Sequence, residues 1–217
     1  TAARHHVQMF EAVNLPLILA AAFVATVSPG PATFAIAGTA LASGRKYGLA
    51  LASGVTTGSL TWSIGAALGL SAIMFTNVWL FEVVRYVGAL YLMWLAFKSA
   101  RAALSSSTQT PQLAPARSVG KAYSKGLTIH LTNPKAVLFF GSLYSIGIPA
   151  GAGPEAILLV IVAVGLQSFI LFHGYAVLFS FAPVVRGYTR LRRWFEGVFA
   201  VAFGAASLKI LTAKLTG

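Results

Sequence analysis

The sequence predicts an all-α integral membrane protein of six transmembrane helices, arranged as two inverted three-helix repeats in which helices one and four are broken. Three observations predict it. Of 217 residues, 57% are hydrophobic and 9% are charged, against roughly a quarter charged in an average soluble domain, and the mean hydropathy is +0.79. Runs without Asp, Glu, Lys or Arg extend from Ala12 to Gly44, from Tyr47 to Phe81 and from Ala156 to Val185. Each exceeds the about 20 helical residues needed to cross a hydrocarbon core of roughly 30 Å. Lys and Arg are sorted into alternate connections, which is the mark of orientation in a membrane.

Taken in order, the first span covers Leu15–Ala42 and is interrupted by Ser28-Pro29-Gly30-Pro31. The eight residues before Met9 read as poorly structured. Arg4 is a weak start for a signal peptide, and the apolar stretch is longer than the roughly 7–15 residues of an h-region. The second span, Tyr47–Phe75, carries Gly54, Gly58, Gly65 and Gly69 with Thr61 on one stripe, a small-residue packing face. Helix contact within one subunit is its simpler reading, and the stripe is also compatible with a homodimer. The third span is Val78–Ser99, where Glu82 and Arg85 suit an i,i+3 pair near the outer surface.

Leu104–Ser118 is rich in Ser, Thr and Pro, cannot bury a core and reads as a cytoplasmic linker. It divides the chain into a first three-helix repeat (1–103), the linker (104–118) and a second repeat (119–217). Span four, Gly120–Ile146, is interrupted by Asn133-Pro134-Lys135 at a depth matching the first break. Spans five and six are Pro154–Pro183 and Trp194–Thr212. Because three is odd, the second repeat enters the membrane from the opposite side, as in many secondary transporters.

Arg45 and Lys46 follow span one, Lys98, Arg101, Arg117 and Lys121 surround the linker, and Arg186, Arg190, Arg192 and Arg193 lie between spans five and six. The other connections lack Lys and Arg. The positive-inside rule therefore places the basic connections in the cytoplasm and both termini outside, in a bacterial-type inner membrane. A net charge of +12 distributed in this way is not the exposed basic face of a nucleic-acid reader. The absence of Cys excludes disulfides and thiolate chemistry. The residues offer no metal site, no cofactor motif and no hydrolase or phosphate-binding constellation.

The breaks carry the functional reading. A Pro inside a helix removes a donor and frees the carbonyl four residues earlier, here those of Ala25, Val27 and His130. Such backbone is tolerated in a bilayer only where protein or water satisfies it, and paired breaks point to a transporter site near the midplane. Asn133 suits an N-cap with Pro134 at the first helical position, and Ser28 or Gly30 with Pro31 offers the same start. Two helix N-termini then attract an anion, and Lys135 adds a cation for a substrate carboxylate. Freed carbonyls, with hydroxyls such as Ser28 and Thr33, would take an ammonium. The candidate site is thus Ser28, Pro29, Gly30, Pro31, Thr33, Asn133, Pro134 and Lys135. Lys135 has a second reading, as a brace bonded to freed carbonyls. His130 and His173 are candidate proton carriers, beside the polar Gln167 and Tyr175.

With those residues in view, Ser28–Gly69, including Ser28-Pro29-Gly30-Pro31 and Gly44, Gly48, Gly54 and Gly58, resembles the amino-terminal signature of the LysE translocator superfamily. Gly126–Phe140, built around Asn-Pro-Lys, resembles its second signature. The resemblance covers nearly the whole chain and implies export of amino acids by an ion gradient, in the manner of the homoserine/threonine branch. One departure stands out. Ala32 and Thr33 follow the Pro-Gly-Pro where relatives often carry Asn or Gln.

The residues and the resemblance together predict a secondary exporter of a neutral amino acid or close analogue, not an enzyme. An exporter or channel for a cation or other small metabolite is the first alternative; a cation would call for acidic residues at the core, which is expected to lack them. An intramembrane enzyme or a structural membrane subunit is the second.

Overall fold

A computed structural model describes residues 13–76, 78–105, 115–148 and 152–212. Residues 1–8, most of the linker and residues 149–151 lie outside the described residues, as do the side chains of Glu82, Arg85 and Pro134. The described residues form eight helices and no strand: α1 (Leu15–Val27), α2 (Pro31–Ser43), α3 (Arg45–Thr76), α4 (Val78–Leu104), α5 (Val119–Leu131), α6 (Pro134–Gly147), α7 (Pro154–Leu178) and α8 (Ala182–Thr212). The all-α architecture is as expected, and α1/α2 and α5/α6 are the two interrupted segments. By length and apolar content alone, α7 is long enough to cross a membrane, and α1 with α2, bent by 53°, meets the requirement jointly.

Two boundaries correct the sequence reading. Span five ends at Leu178 rather than Pro183, and the last helix begins at Ala182 rather than Trp194. The stretch Arg186–Arg193 is therefore helix and not a loop. Pro183 explains the start: it is tolerated in a first helical turn, where its missing N–H would have no partner anyway.

The outer surface of the bundle is apolar. Trp194, Val201, Leu68 and Phe97 are 78%, 73%, 65% and 68% exposed, and their spread over several helices is larger than a soluble monomer carries. Lipid is the medium that suits it. In lipid the apolar faces gain nothing by leaving the solvent, so helices are held by close van der Waals packing and by polar side chains between them. A Cβ on Gly54 would lie 2.0 Å from the Tyr123 carbonyl oxygen, and one on Gly126 2.1 Å from that of Leu51. These two glycines let α3 and α5 touch backbone to backbone. Among the described residues nothing lies within 4 Å of a Cβ on Gly65 or Gly69, so the seam they show runs along the first half of the predicted stripe.

Polar ties are few and interhelical. Ser59 and Ser168 join α3 to α7 at 3.1 Å, Ser207 donates to the Ala89 carbonyl at 2.8 Å, and Ser63 bonds the buried Tyr144 hydroxyl. At one end of the bundle Arg45 donates to Ser180 at 3.4 Å, the Ala116 N–H donates to Ser43 at 2.8 Å, and Arg193 donates to the Ala103 carbonyl at 2.8 Å. At the other end the Asn14 N–H donates to the Gly147 carbonyl at 3.2 Å. The basic connections thus share one end of the molecule, and the starts of α1 and the end of α6 share the opposite one.

Candidate functional site

Each break is built by local chemistry. At the second, the Asn133 side chain accepts from the Lys135 N–H at 3.0 Å and so caps α6, satisfying one of the donors a helix start leaves open. The His130 carbonyl, deprived of its usual partner by Pro134, accepts instead from the Asn133 N–H at 3.2 Å. At the first break α2 starts at Pro31 after an extended Gly30, with no side-chain cap. Its first amide groups are therefore left facing the site. Both helix starts are as the sequence predicts.

The two breaks meet. Lys135 donates from Nζ to the Ala25 carbonyl at 3.3 Å, which is a carbonyl that Pro29 frees. The second break thus supplies the cation that satisfies the first. This realises the bracing role for Lys135, and it also holds the ammonium at the junction of both interrupted segments.

Two cavities flank the junction. The larger, about 500 Å³, is walled by Ser28, Pro29, Gly30 and Pro31 at the first break and by Asn133 and Lys135 at the second. Aromatic residues Phe34, Tyr91, Trp94 and Phe203 supply apolar surface, and Lys98, Ser99, Arg192 and Glu196 bring charge and polarity from α4 and α8. The smaller, about 60 Å³, lies between Thr33, Ser59, His130, Ser168 and Phe172. Even this holds several times the roughly 10–15 Å³ that one water needs. Ser28, Gly30, Asn133 and Lys135 line both cavities, so the breaks form the wall between them.

Seven of the eight expected site residues therefore come together around these cavities. Thr33, only 2% exposed, belongs to the smaller cavity. Pro134 opens α6, but its ring lies outside the described residues. The two histidines separate. His173 is engaged through both nitrogens, with Ser53 Oγ at 3.0 Å and the Phe169 carbonyl at 2.9 Å, and its ring lies against Phe169. His130 is 6% exposed, edge-on to Phe172, and neither ring nitrogen has a hydrogen-bond partner among the described residues. Gln167 ties α7 to α1 by donating to the Leu19 carbonyl at 3.0 Å.

One expectation is overturned. The core was expected to lack acidic residues, yet Glu196 is 5% exposed and lines the larger cavity. In the sequence it lies beside Arg192 and Arg193, at the start of the span bounded at Trp194. Because α8 starts at Ala182, Glu196 falls near the middle of a 31-residue helix. The signal available was rarity: Glu196 is one of only four acidic residues in the chain. Lys98, Ser99 and Arg192 were likewise missed as site residues, because they reach the cavity from helices without breaks.

Residues 23–214 match the LysE family, described as LysE type translocator. The threonine efflux protein of Salmonella typhi is 31% identical over 194 residues, 88% of this chain and 94% of that protein. The threonine efflux protein of Escherichia coli is 32% identical over the same shares. A leucine efflux protein from Enterobacter is 30% identical over 90% of this chain and 95% of its own. No solved structure matches the chain.

Proposed function

The chain belongs to the LysE type translocator family, and from that membership we propose that it is a secondary transporter exporting a neutral amino acid, or a close analogue, across the inner membrane. The observation that carries this reading is the junction of the breaks, where Lys135 reaches the Ala25 carbonyl at 3.3 Å on the wall of a 500 Å³ cavity. The volume suits a small solute. The uncapped start of α2, the start of α6 and the Lys135 ammonium converge there, so a substrate carboxylate would be held by a cation and two helix N-termini. Arrival of that carboxylate would compete with the Ala25 carbonyl for Lys135 and loosen the contact between the breaks. Binding is thereby linked to opening of the wall between the two cavities.

Ser28, Pro29, Gly30, Pro31, Asn133, Pro134 and Lys135 form the substrate site in this reading, with Thr33 on its deeper side. His130 is the proton carrier, since its ring borders the smaller cavity with both nitrogens uncommitted, and His173 is structural. The six spans run as two inverted repeats, 1–103 and 119–217, joined by the cytoplasmic linker 104–118, with both termini outside. In support, α1 packs on α7 as α5 packs on α3, and α2 packs on α7 as α6 packs on α3. Three cationic side chains, Lys98, Lys135 and Arg192, face the single carboxylate of Glu196 in the larger cavity, which disfavours an inorganic cation as the solute.

The test is counterflow in liposomes containing the purified protein, over a panel of neutral amino acids that includes threonine and leucine. Uptake of at least one is expected, with Lys135→Ala reducing it by roughly a hundred-fold, as loss of a buried charge-assisted bond predicts. A well-inserted Lys135→Ala protein that transports normally would remove the carboxylate anchor.

A further inference from the structure

The proposed site gives a substrate carboxylate a cationic partner, Lys135, but its breaks give the ammonium group only neutral acceptors. Two of the three carbonyls freed by the breaks are engaged: that of Ala25 accepts from Lys135 at 3.3 Å and that of His130 from the Asn133 N–H at 3.2 Å, which leaves that of Val27. The Thr132 hydroxyl donates to the Thr128 carbonyl at 2.7 Å and is exposed. These neutral acceptors give an ammonium no counter-charge, and a charged acceptor stands elsewhere in the larger cavity.

Glu196 is that acceptor. Its carboxylate lines the cavity beside Ser99, and Arg192 Nε forms an ion pair with Oε1 at 3.8 Å. A carboxylate offers about four acceptor positions, and Glu196 carries one on the cavity wall. Arg192 and Glu196 are four residues apart on α8 with the Arg first, which is the weaker order for such a pair. Lys135 enters the same cavity from α6, and the aromatic faces of Tyr91 and Trp94 line it as well. A cation on one helix, an anion on another and an apolar wall are the complement of a zwitterion bearing a neutral side chain.

We propose that Glu196 is a substrate-binding residue that receives the α-ammonium group of the exported amino acid while Lys135 receives its carboxylate. This rests on the amino-acid reading above and adds to it a residue from an unbroken helix. The two charges sit on α8 and α6, so a zwitterion would bridge the last helix to the break. A solute with only one of the two groups would leave one helix unengaged. Selection for α-amino acids over other carboxylates of the same size follows from this.

The experiment compares each transported amino acid with its 2-hydroxy acid, which keeps the carboxylate and side chain but replaces the ammonium by a hydroxyl. The readout is the ratio of their potencies as competitors of counterflow, so it does not depend on how much protein is inserted. The wild type is expected to prefer the amino acid by roughly ten-fold or more, the worth of one charge-assisted bond. Glu196→Gln should bring the ratio close to one, and Glu196→Asp should restore most of the preference. The Arg192→Gln/Glu196→Gln double variant, neutral at both positions and so free of a new buried charge, should match Glu196→Gln. A preference unchanged in Glu196→Gln or in the double variant, or both competitors weakened equally, overturns the assignment while leaving amino-acid export intact. A wild type that moves no amino acid overturns the proposed function and this assignment with it.

Discussion

His130 and His173 carry the same imidazole into different surroundings, and the roles proposed for them rest on that difference. An imidazole bonded at both nitrogens is locked in one tautomer, whereas one with neither nitrogen engaged can take up and pass on a proton when a partner or water arrives. His173, bonded to Ser53 and to the Phe169 carbonyl, belongs to the first kind. His130, bordering the smaller cavity, belongs to the second. In liposomes with an imposed pH gradient, His130→Gln is expected to retain exchange of substrate for substrate but to lose the stimulation by the gradient. His173→Gln should keep both. Gradient stimulation that survives in His130→Gln would remove His130 from proton coupling.

At the scale of elements, two seams obey different rules. The α3–α5 seam depends on Gly54 and Gly126, because any Cβ there would overlap backbone that cannot yield. Overpacking of this kind costs about 1–3 kcal/mol or more, so Gly54→Ala and Gly126→Ala should each lower the melting temperature in detergent measurably. Gly65→Ala, with nothing within 4 Å of its added methyl, should leave it unchanged or raise it. The breaks are governed by proline. Pro134→Ala restores a backbone donor at the point where the His130 carbonyl now turns to Asn133, and it favours one continuous helix. Insertion and melting should be preserved while counterflow falls by at least roughly ten-fold, since the helix N-terminus and Lys135 would move out of register. Full activity in Pro134→Ala would separate the break from transport.

For the whole molecule, the prediction concerns orientation. The chain has no Cys, so single cysteines report accessibility without background. Val119→Cys and Ala182→Cys, at the end that gathers the basic connections, should react with an impermeant maleimide only after the cells are opened. Ala152→Cys, at the opposite end, should react in intact cells. The reverse pattern would invert the proposed topology, and labelling of all three from outside would break the count of spans.

Much of this architecture was legible in the residues because a bilayer restricts backbone severely. Only helices satisfy their own polar groups in lipid, so charge-free runs, proline breaks and the sorting of Lys and Arg determined the class of fold, both interrupted helices and the helix starts at Pro31 and Pro134. They also brought out Lys135, which the fold places at the junction of the two breaks. What they could not supply is which side chains from unbroken helices face the same space. Glu196, Lys98 and Arg192 lie far from the breaks in sequence, and their place depends on how α4 and α8 rotate and pack against α6. The choice between His130 and His173 was likewise made by neighbours on other helices. Periodicity and charge patterning act along one segment, whereas a binding cavity is a meeting of several, and only tertiary packing decides which faces meet.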